Sequence, residues 1–172
     1  MNFKEMLVNV KAMIFDVDGV LSQSIIHIDE SGELTRTTNI KDGYILKYAI
    51  KKGYIIGIIS GGLSNSVRIR FQDLGIEDVI LGSKRKIIDF ESFLHKHKLN
   101  PQDVLYMGDD IPDYEVMLQA GLPCCPKDAA SEIKEISIYI SGFDGGKACV
   151  RDIVEQVLRA NGHWMDDEAF ET

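Results

Sequence analysis

The chain carries a series of apolar runs too short for helices and too continuous for strands that face water on one side. Residues 11–17 (KAMIFDV), 54–59 (YIIGII), 78–81 and 104–107 lack the polar alternation of a half-exposed strand. A parallel sheet covered on both faces requires such runs. Between them, apolar residues recur at helical spacing. The span 42–52 is stopped by Gly53, a segment with Val67, Ile69, Phe71 and Leu74 is stopped by Gly75, and 86–98 turns Ile87, Phe90, Phe93 and Leu94 to one side. A helix with Val116, Met117 and Leu118 follows, 122–125 and 138–140 read as late strands, and the spacing from Ala148 to Leu158 makes the last helix amphipathic. Strands alternating with helices predict a doubly wound, Rossmann-like α/β fold. A length of 172 residues suits one domain over 1–172.

In such a sheet, ligands bind at the carboxyl ends of the strands. Polar clusters follow four of the runs: Asp16-Val17-Asp18-Gly19, Ser60-Gly61-Gly62, Gly82-Ser83-Lys84 and Gly108-Asp109-Asp110. Each has an ordinary reading as well as a chemical one. Asp16 and Asp18 can be a polar turn, or a metal-binding nucleophile beside a proton donor. Asp110 before Ile111-Pro112, with Asp113 three residues on, is good capping chemistry, while Asp109 suits a hard cation. Ser60-Gly61-Gly62 is a turn or a phosphoryl cradle at a helix start. Lys86 is a solvated lysine of a basic cluster or a neutraliser of phosphoryl charge. Residues 22–38 break the alternation: two β-rich arms around Asp29-Glu30-Ser31-Gly32 predict a hairpin that overhangs the first strand end as a flap.

Composition excludes several classes. A net charge of −8 argues against general affinity for nucleic acid or anionic membrane, and no apolar run is long enough to span a bilayer. Cys124, Cys125 and Cys149 have neither metal-site spacing nor a disulfide framework, which suits a reducing cytoplasm and buried thiols. The four histidines are scattered. The acidic tail, about 161–172, is expected to be partly disordered.

Taken in order, Asp16-Val17-Asp18-Gly19-Val20-Leu21, Ser60, Lys86 and Gly108-Asp109-Asp110-x-x-Asp113 resemble the four motifs of the haloacid dehalogenase superfamily. The hairpin, Lys41-Asp42-Gly43-Tyr44, Val67-x-x-Arg70-x-x-x-Leu74-Gly75-Ile76 and Gly145-Gly146-Lys147-Ala148-Cys149-Val150-Arg151 are similar to its capless sugar-acid phosphatases. The resemblance implies a cytoplasmic, Mg²⁺-dependent phosphatase with no cap domain, whose hairpins assemble centrally in a homotetramer. Its substrate would be an anionic sugar phosphate, foremost 3-deoxy-D-manno-octulosonate 8-phosphate in lipopolysaccharide precursor synthesis. A nine-carbon keto acid 9-phosphate of the sialic acid type and a phospho-accepting regulatory module are the alternatives. Gly62 and Asp73 lack the Glu and Lys of the nine-carbon group, and Gly62 also lacks the Arg frequent in the eight-carbon one.

By the same resemblance Asp16 is the nucleophile and Asp18 the general acid and base. Mg²⁺ is held by the Asp16 carboxylate, the Asp18 main-chain carbonyl and Asp109. Ser60, the Gly61 amide and Lys86 bind phosphoryl oxygens, with Asp113 orienting Lys86 and Asp110 capping its own turn. Arg70 matches an arginine used on the sugar acid, one that can reach across a subunit interface.

Overall fold

Six parallel strands realise the sheet that the apolar runs predict. The computed structural model describes residues 2–32 and 34–171. Glu33 of the expected hairpin, and Met1 and Thr172 at the ends of the expected domain, lie outside the described residues. The main sheet contains β1 (Ala12–Phe15), β4 (Ile55–Ser60), β5 (Asp78–Leu81), β6 (Val104–Met107), β7 (Leu122–Cys125) and β8 (Tyr139–Ile140). They lie in the order β5-β4-β1-β6-β7-β8. A separate antiparallel pair, β2 (His27–Ile28) and β3 (Leu34–Thr35), is the predicted hairpin.

Each strand of a doubly wound sheet feeds two cores, and β1 shows the alternation. Met13 and Phe15 join one apolar cluster with Leu7, Ile45, Phe71 and Val154, while Ala12 and Ile14 join another with Ile87, Phe90, Val116 and Ile133. Four helices thus cover one face: α1 (Phe3–Asn9), α2 (Ile40–Lys51), α3 (Asn65–Asp73) and α7 (Cys149–Ala160). Three cover the other: α4 (Lys86–His97), α5 (Tyr114–Gln119) and α6 (Ser131–Ile136). Helices α1 and α6, 7 and 6 residues long, were not anticipated, because each buries a single residue, Leu7 and Ile133, and so shows no apolar stripe. All three cysteines are buried free thiols. No helix among the described residues is long and apolar enough to cross a membrane.

The chain runs from β1 outward through β4 and β5, then returns to place β6 on the other flank of β1. Phe15 pairs with Ile58 on one side and with Met107 on the other, so β1 and β6 end level while β4 runs two residues further, to Ser60. Residues just beyond them converge on one edge, at the point where the strand order reverses.

The tail corrects the expectation of partial disorder. Residues 161–171 fold back over α2 and α7 of the same chain. The Tyr48 hydroxyl lies 2.7 Å from the His163 carbonyl and 2.8 Å from Asp166 Oδ1. Lys52 pairs with Asp166 and Glu168, and Lys51 with Glu171 at 2.7 Å. The indole of Trp164 is flanked by the Arg151 and Arg159 guanidinium groups at 5.1 and 4.9 Å. The tail's acids thus meet Lys51 and Lys52 at the end of α2, while the α7 arginines take its indole.

Asp42 ties α2 to α7: its Oδ1 accepts the Arg151 N–H at 2.7 Å, while its buried Oδ2 has no partner among the described residues. Burial raises its carboxyl from 3.8 to about 6, against the opposing pull of the Arg151 N–H. The folded chain therefore binds this proton more readily than the unfolded one. The stabilisation is complete below pH 3.8 and lost as pH rises through about 6. Asp42→Asn keeps the acceptor and removes the charge, so at pH 7 it should be more stable than wild type by roughly 3 kcal/mol. Urea melts at pH 4 and pH 7 test this: the gain should vanish at the lower pH, and a gain independent of pH would refute the burial cost.

Candidate active site

Three of the four strand-end clusters, with Lys86 from the start of α4, meet in one open cleft of about 290 Å³, lined by Asp16, Asp18, Ser24, Ser60, Gly61, Gly62, Lys86, Asp109, Asp110, Pro112 and Asp113. Every residue expected at the site except Arg70 is in that set. At its floor Lys86, the first residue of α4, is buried and places Nζ 2.9 Å from Asp16 Oδ1 and 2.7 Å from Asp113 Oδ1. Asp113 is more fully engaged than capping chemistry alone suggested. The Tyr106 hydroxyl donates to its Oδ1 at 2.6 Å, and the backbone N–H groups of Asp109 and Asp110 approach its Oδ2 at 3.2 and 3.5 Å. Asp110 does cap its turn, accepting the Ile111 N–H at 2.8 Å.

Asp109 lies under the loop after β1. A Cβ on Gly19 would stand 1.9 Å from Asp109 Oδ2, and Gly19 has φ +88°. Both the left-handed backbone and the carboxylate beneath it exclude a side chain there. On the far side of the cleft, the Gly62 N–H donates to Ser60 Oγ at 3.2 Å, and the Gly82 N–H donates to the Gly62 carbonyl at 3.0 Å. These bonds hold the Ser60-Gly61-Gly62 turn as a rigid rim.

The electrostatics describe a site short of positive charge. Burial lifts the Asp16 carboxyl to about 7, with Asp113 adding to the rise and Lys86 opposing it. Burial lifts Asp109 to about 8, with Asp16 and then Asp113 reinforcing it. Burial pulls Lys86 down, but its two carboxylate neighbours more than reverse this and leave it raised. One lysine cannot neutralise so many crowded acids. One carboxylate oxygen each from Asp16, Asp109 and Asp113 lies within 4.8 Å of the others, so the set can close on a cation. Since Lys86, Tyr106 and two N–H groups already occupy Asp113, the carboxylates best placed to take it are Asp16 and Asp109. Oxygen donors without His or Cys suit Mg²⁺.

Two features escaped the sequence reading. Arg36, just beyond β3, donates from Nε and Nη2 to the two oxygens of Asp18, at 2.5 and 3.0 Å. The Ser22 hydroxyl also reaches Asp18 Oδ1, at 3.2 Å. No periodicity could bring residue 36 against residue 18, since the contact depends on how the hairpin folds over. Arg70 stands apart, in a second cavity with Ile40, Tyr44, Leu74 and Glu168, its Nη2 crossing the Cα face of Gly43. The fold does not bring it together with Asp16 within one chain.

No family model matches the chain. It is 34% identical over 154 residues to the 3-deoxy-D-manno-octulosonate 8-phosphate phosphatase KdsC of Escherichia coli K12, covering 90% of this chain and 82% of that one. The crystal structure of the phosphatase of that name from Yersinia pestis superposes with a TM-score of 0.91 at 29% identity, over 93% of this chain and 86% of the other. That of the Moraxella catarrhalis phosphatase, in complex with magnesium ion, phosphate ion and KDO, gives 0.91 at 28% identity, over 94% and 92%.

The charge deficit predicts a measurable response to metal. Millimolar Mg²⁺ should raise the melting temperature, corresponding to about 2.7 kcal/mol at a hundred-fold excess over Kd. Asp109→Asn should abolish the rise, and a variant that kept it would place the cation elsewhere.

Proposed function

The chain belongs to the 3-deoxy-D-manno-octulosonate 8-phosphate phosphatase family of the haloacid dehalogenase superfamily, and from that premise we propose that it hydrolyses 3-deoxy-D-manno-octulosonate 8-phosphate. The observation that carries this reading is the meeting of three strand-end clusters in one cleft, with Asp16 and Asp18 among its lining and the buried Lys86 paired with Asp16 at its floor.

In this reading Asp16 attacks phosphorus, the bond to the ester oxygen breaks, and an aspartyl phosphate forms. Asp18 gives its proton to the departing sugar oxygen. Asp18 then takes a proton from water, which attacks the aspartyl phosphate and releases inorganic phosphate and free Asp16. Asp16, Asp109 and the Asp18 main-chain carbonyl would hold Mg²⁺, which would supply positive charge to the phosphoryl group. Ser60, the Gly61 N–H and Lys86 bind those oxygens. Asp113 fixes Lys86, and Asp110 caps the turn that carries Asp109. The presence of Asp18 two residues after the nucleophile favours an enzyme over a phospho-accepting module, which needs no group to discharge it.

The chain acts as one domain, and its product feeds lipopolysaccharide precursor synthesis in the cytoplasm. Ligand cavities usually run to about 300–1,000 Å³, and this cleft is open and lies just below that range. A neighbouring copy is the natural cover. Ile25, Ile28 and Leu34 leave the hairpin with an exposed apolar surface, Ile28 being 72% exposed, which supports a homotetramer built on hairpins. Arg70 can meet the sugar acid only from such a neighbour.

Phosphate release across eight- and nine-carbon keto-acid phosphates tests the assignment, with the eight-carbon ester expected to lead. Asp16→Asn and Asp18→Asn should each lower kcat at least about 10³-fold, and EDTA should abolish turnover until Mg²⁺ is restored. Equal slow rates on every ester would overturn the substrate assignment, and turnover by Asp16→Asn would overturn the nucleophile.

A further inference from the structure

Arg36 stands at the mouth of the cleft, against the carboxylate of Asp18. Its side chain is 6% exposed, although it springs from an exposed hairpin. Nε and Nη2 grip Asp18 by both oxygens, and Nη1 donates to the Leu34 carbonyl at 3.3 Å. The guanidinium also reaches the opposite rim of the cleft. The point where a Cβ on Gly62 would lie is 3.0 Å from Arg36 Nη2, 3.4 Å from Asp18 Oδ2 and 3.6 Å from Ser60 Oγ. Any side chain at position 62 would contest the space of this guanidinium. Arg36 therefore bridges the acid loop and the phosphoryl rim at the mouth of the site.

The two-point pair with Asp18, nearly closed to solvent on the arginine side, pins the hairpin. As it stands, it also ties up the one carboxylate that must meet the departing oxygen. For Asp18 to turn an oxygen toward the ester linkage, one N–H of the pair has to find another acceptor beside that linkage. On a sugar ester, the acceptor within reach is a hydroxyl on the carbon next to the ester carbon.

We propose that Arg36 is a specificity-determining residue that donates to leaving-group oxygens beside the ester linkage, favouring polyhydroxylated esters over esters without an oxygen there. The inference rests on the reading of Asp18 as the acid at the leaving-group end. A planar fork of two N–H groups suits both tasks, since one can stay on the carboxylate while the other passes to a vicinal hydroxyl.

Steady-state kinetics on three esters test it: 3-deoxy-D-manno-octulosonate 8-phosphate, glycerol 1-phosphate and phenyl phosphate. In Arg36→Ala, kcat/KM for the two hydroxylated esters should fall about 10- to 100-fold further than for phenyl phosphate, chiefly through KM. Arg36→Lys, which retains the charge but not the fork, should recover part of that discrimination. Melting temperatures of both variants report on folding, and Arg36→Lys carries the test should the alanine variant unfold. Equal losses on all three esters would show a hairpin anchor and overturn the proposal, as would no loss on any. A wild type that cleaves glycerol 1-phosphate and phenyl phosphate but no sugar-acid phosphate would sink the substrate assignment alone. The ratio between those two esters would then still decide for or against Arg36.

Discussion

Lys86 holds the site together by standing between two buried carboxylates that would otherwise repel each other. Breaking a buried pair by removing one partner typically costs about 3–5 kcal/mol, because the other charge is left uncompensated. The neighbouring architecture follows from keeping this triad intact. Asp113 takes the second carboxylate position, and the Tyr106 hydroxyl and two backbone N–H groups satisfy its remaining capacity. Those bonds fix the turn after β6, which places Asp109 beneath Gly19 and faces it toward Asp16. Even so, Asp16 and Asp109 sit at about 7 and about 8, so one lysine leaves the acids under-neutralised. A divalent cation suits that residual deficit. The arrangement is poor for stability and good for holding a dianion, as expected of a site maintained for chemistry.

The sheet explains why so much of this could be read in advance. A parallel strand buried on both faces must be apolar along its length, so any cluster of acids or hydroxyls is pushed to its end. Once the apolar runs are placed, Asp16, Ser60 and Asp109 are already at strand ends. Parallel pairing of β1 with β4 on one side and β6 on the other then makes them neighbours. Lys86 was legible for a related reason: it is the first residue of a helix whose apolar face is unmistakable. Legibility failed where contacts depend on the path of irregular chain. Arg36 meets Asp18 across 18 residues of hairpin, and the tail meets α2 across more than a hundred. In both cases each partner has an ordinary reading as a solvated charge, and no spacing rule connects them.

This division follows the reaction. Phosphoryl transfer makes the same demands whatever the alcohol: an in-line nucleophile, a cation and a fixed cradle of donors. Rigid strand ends meet those demands, and they are the part of the chain with a strong sequence pattern. The leaving group varies with the substrate, and the elements around it are the hairpin, the loop at Ser22 to Ser24 and the glycine at position 62. These segments lie outside the sheet, and changes in them leave the sheet and its register intact. Arg36 shows how such a segment can bear on the chemistry without belonging to the strand-end motifs: it grips Asp18 from outside the sheet. Since Gly62 leaves open the space into which that guanidinium reaches, positions 36 and 62 have to be considered as a pair, and a change at either alters what the other can do.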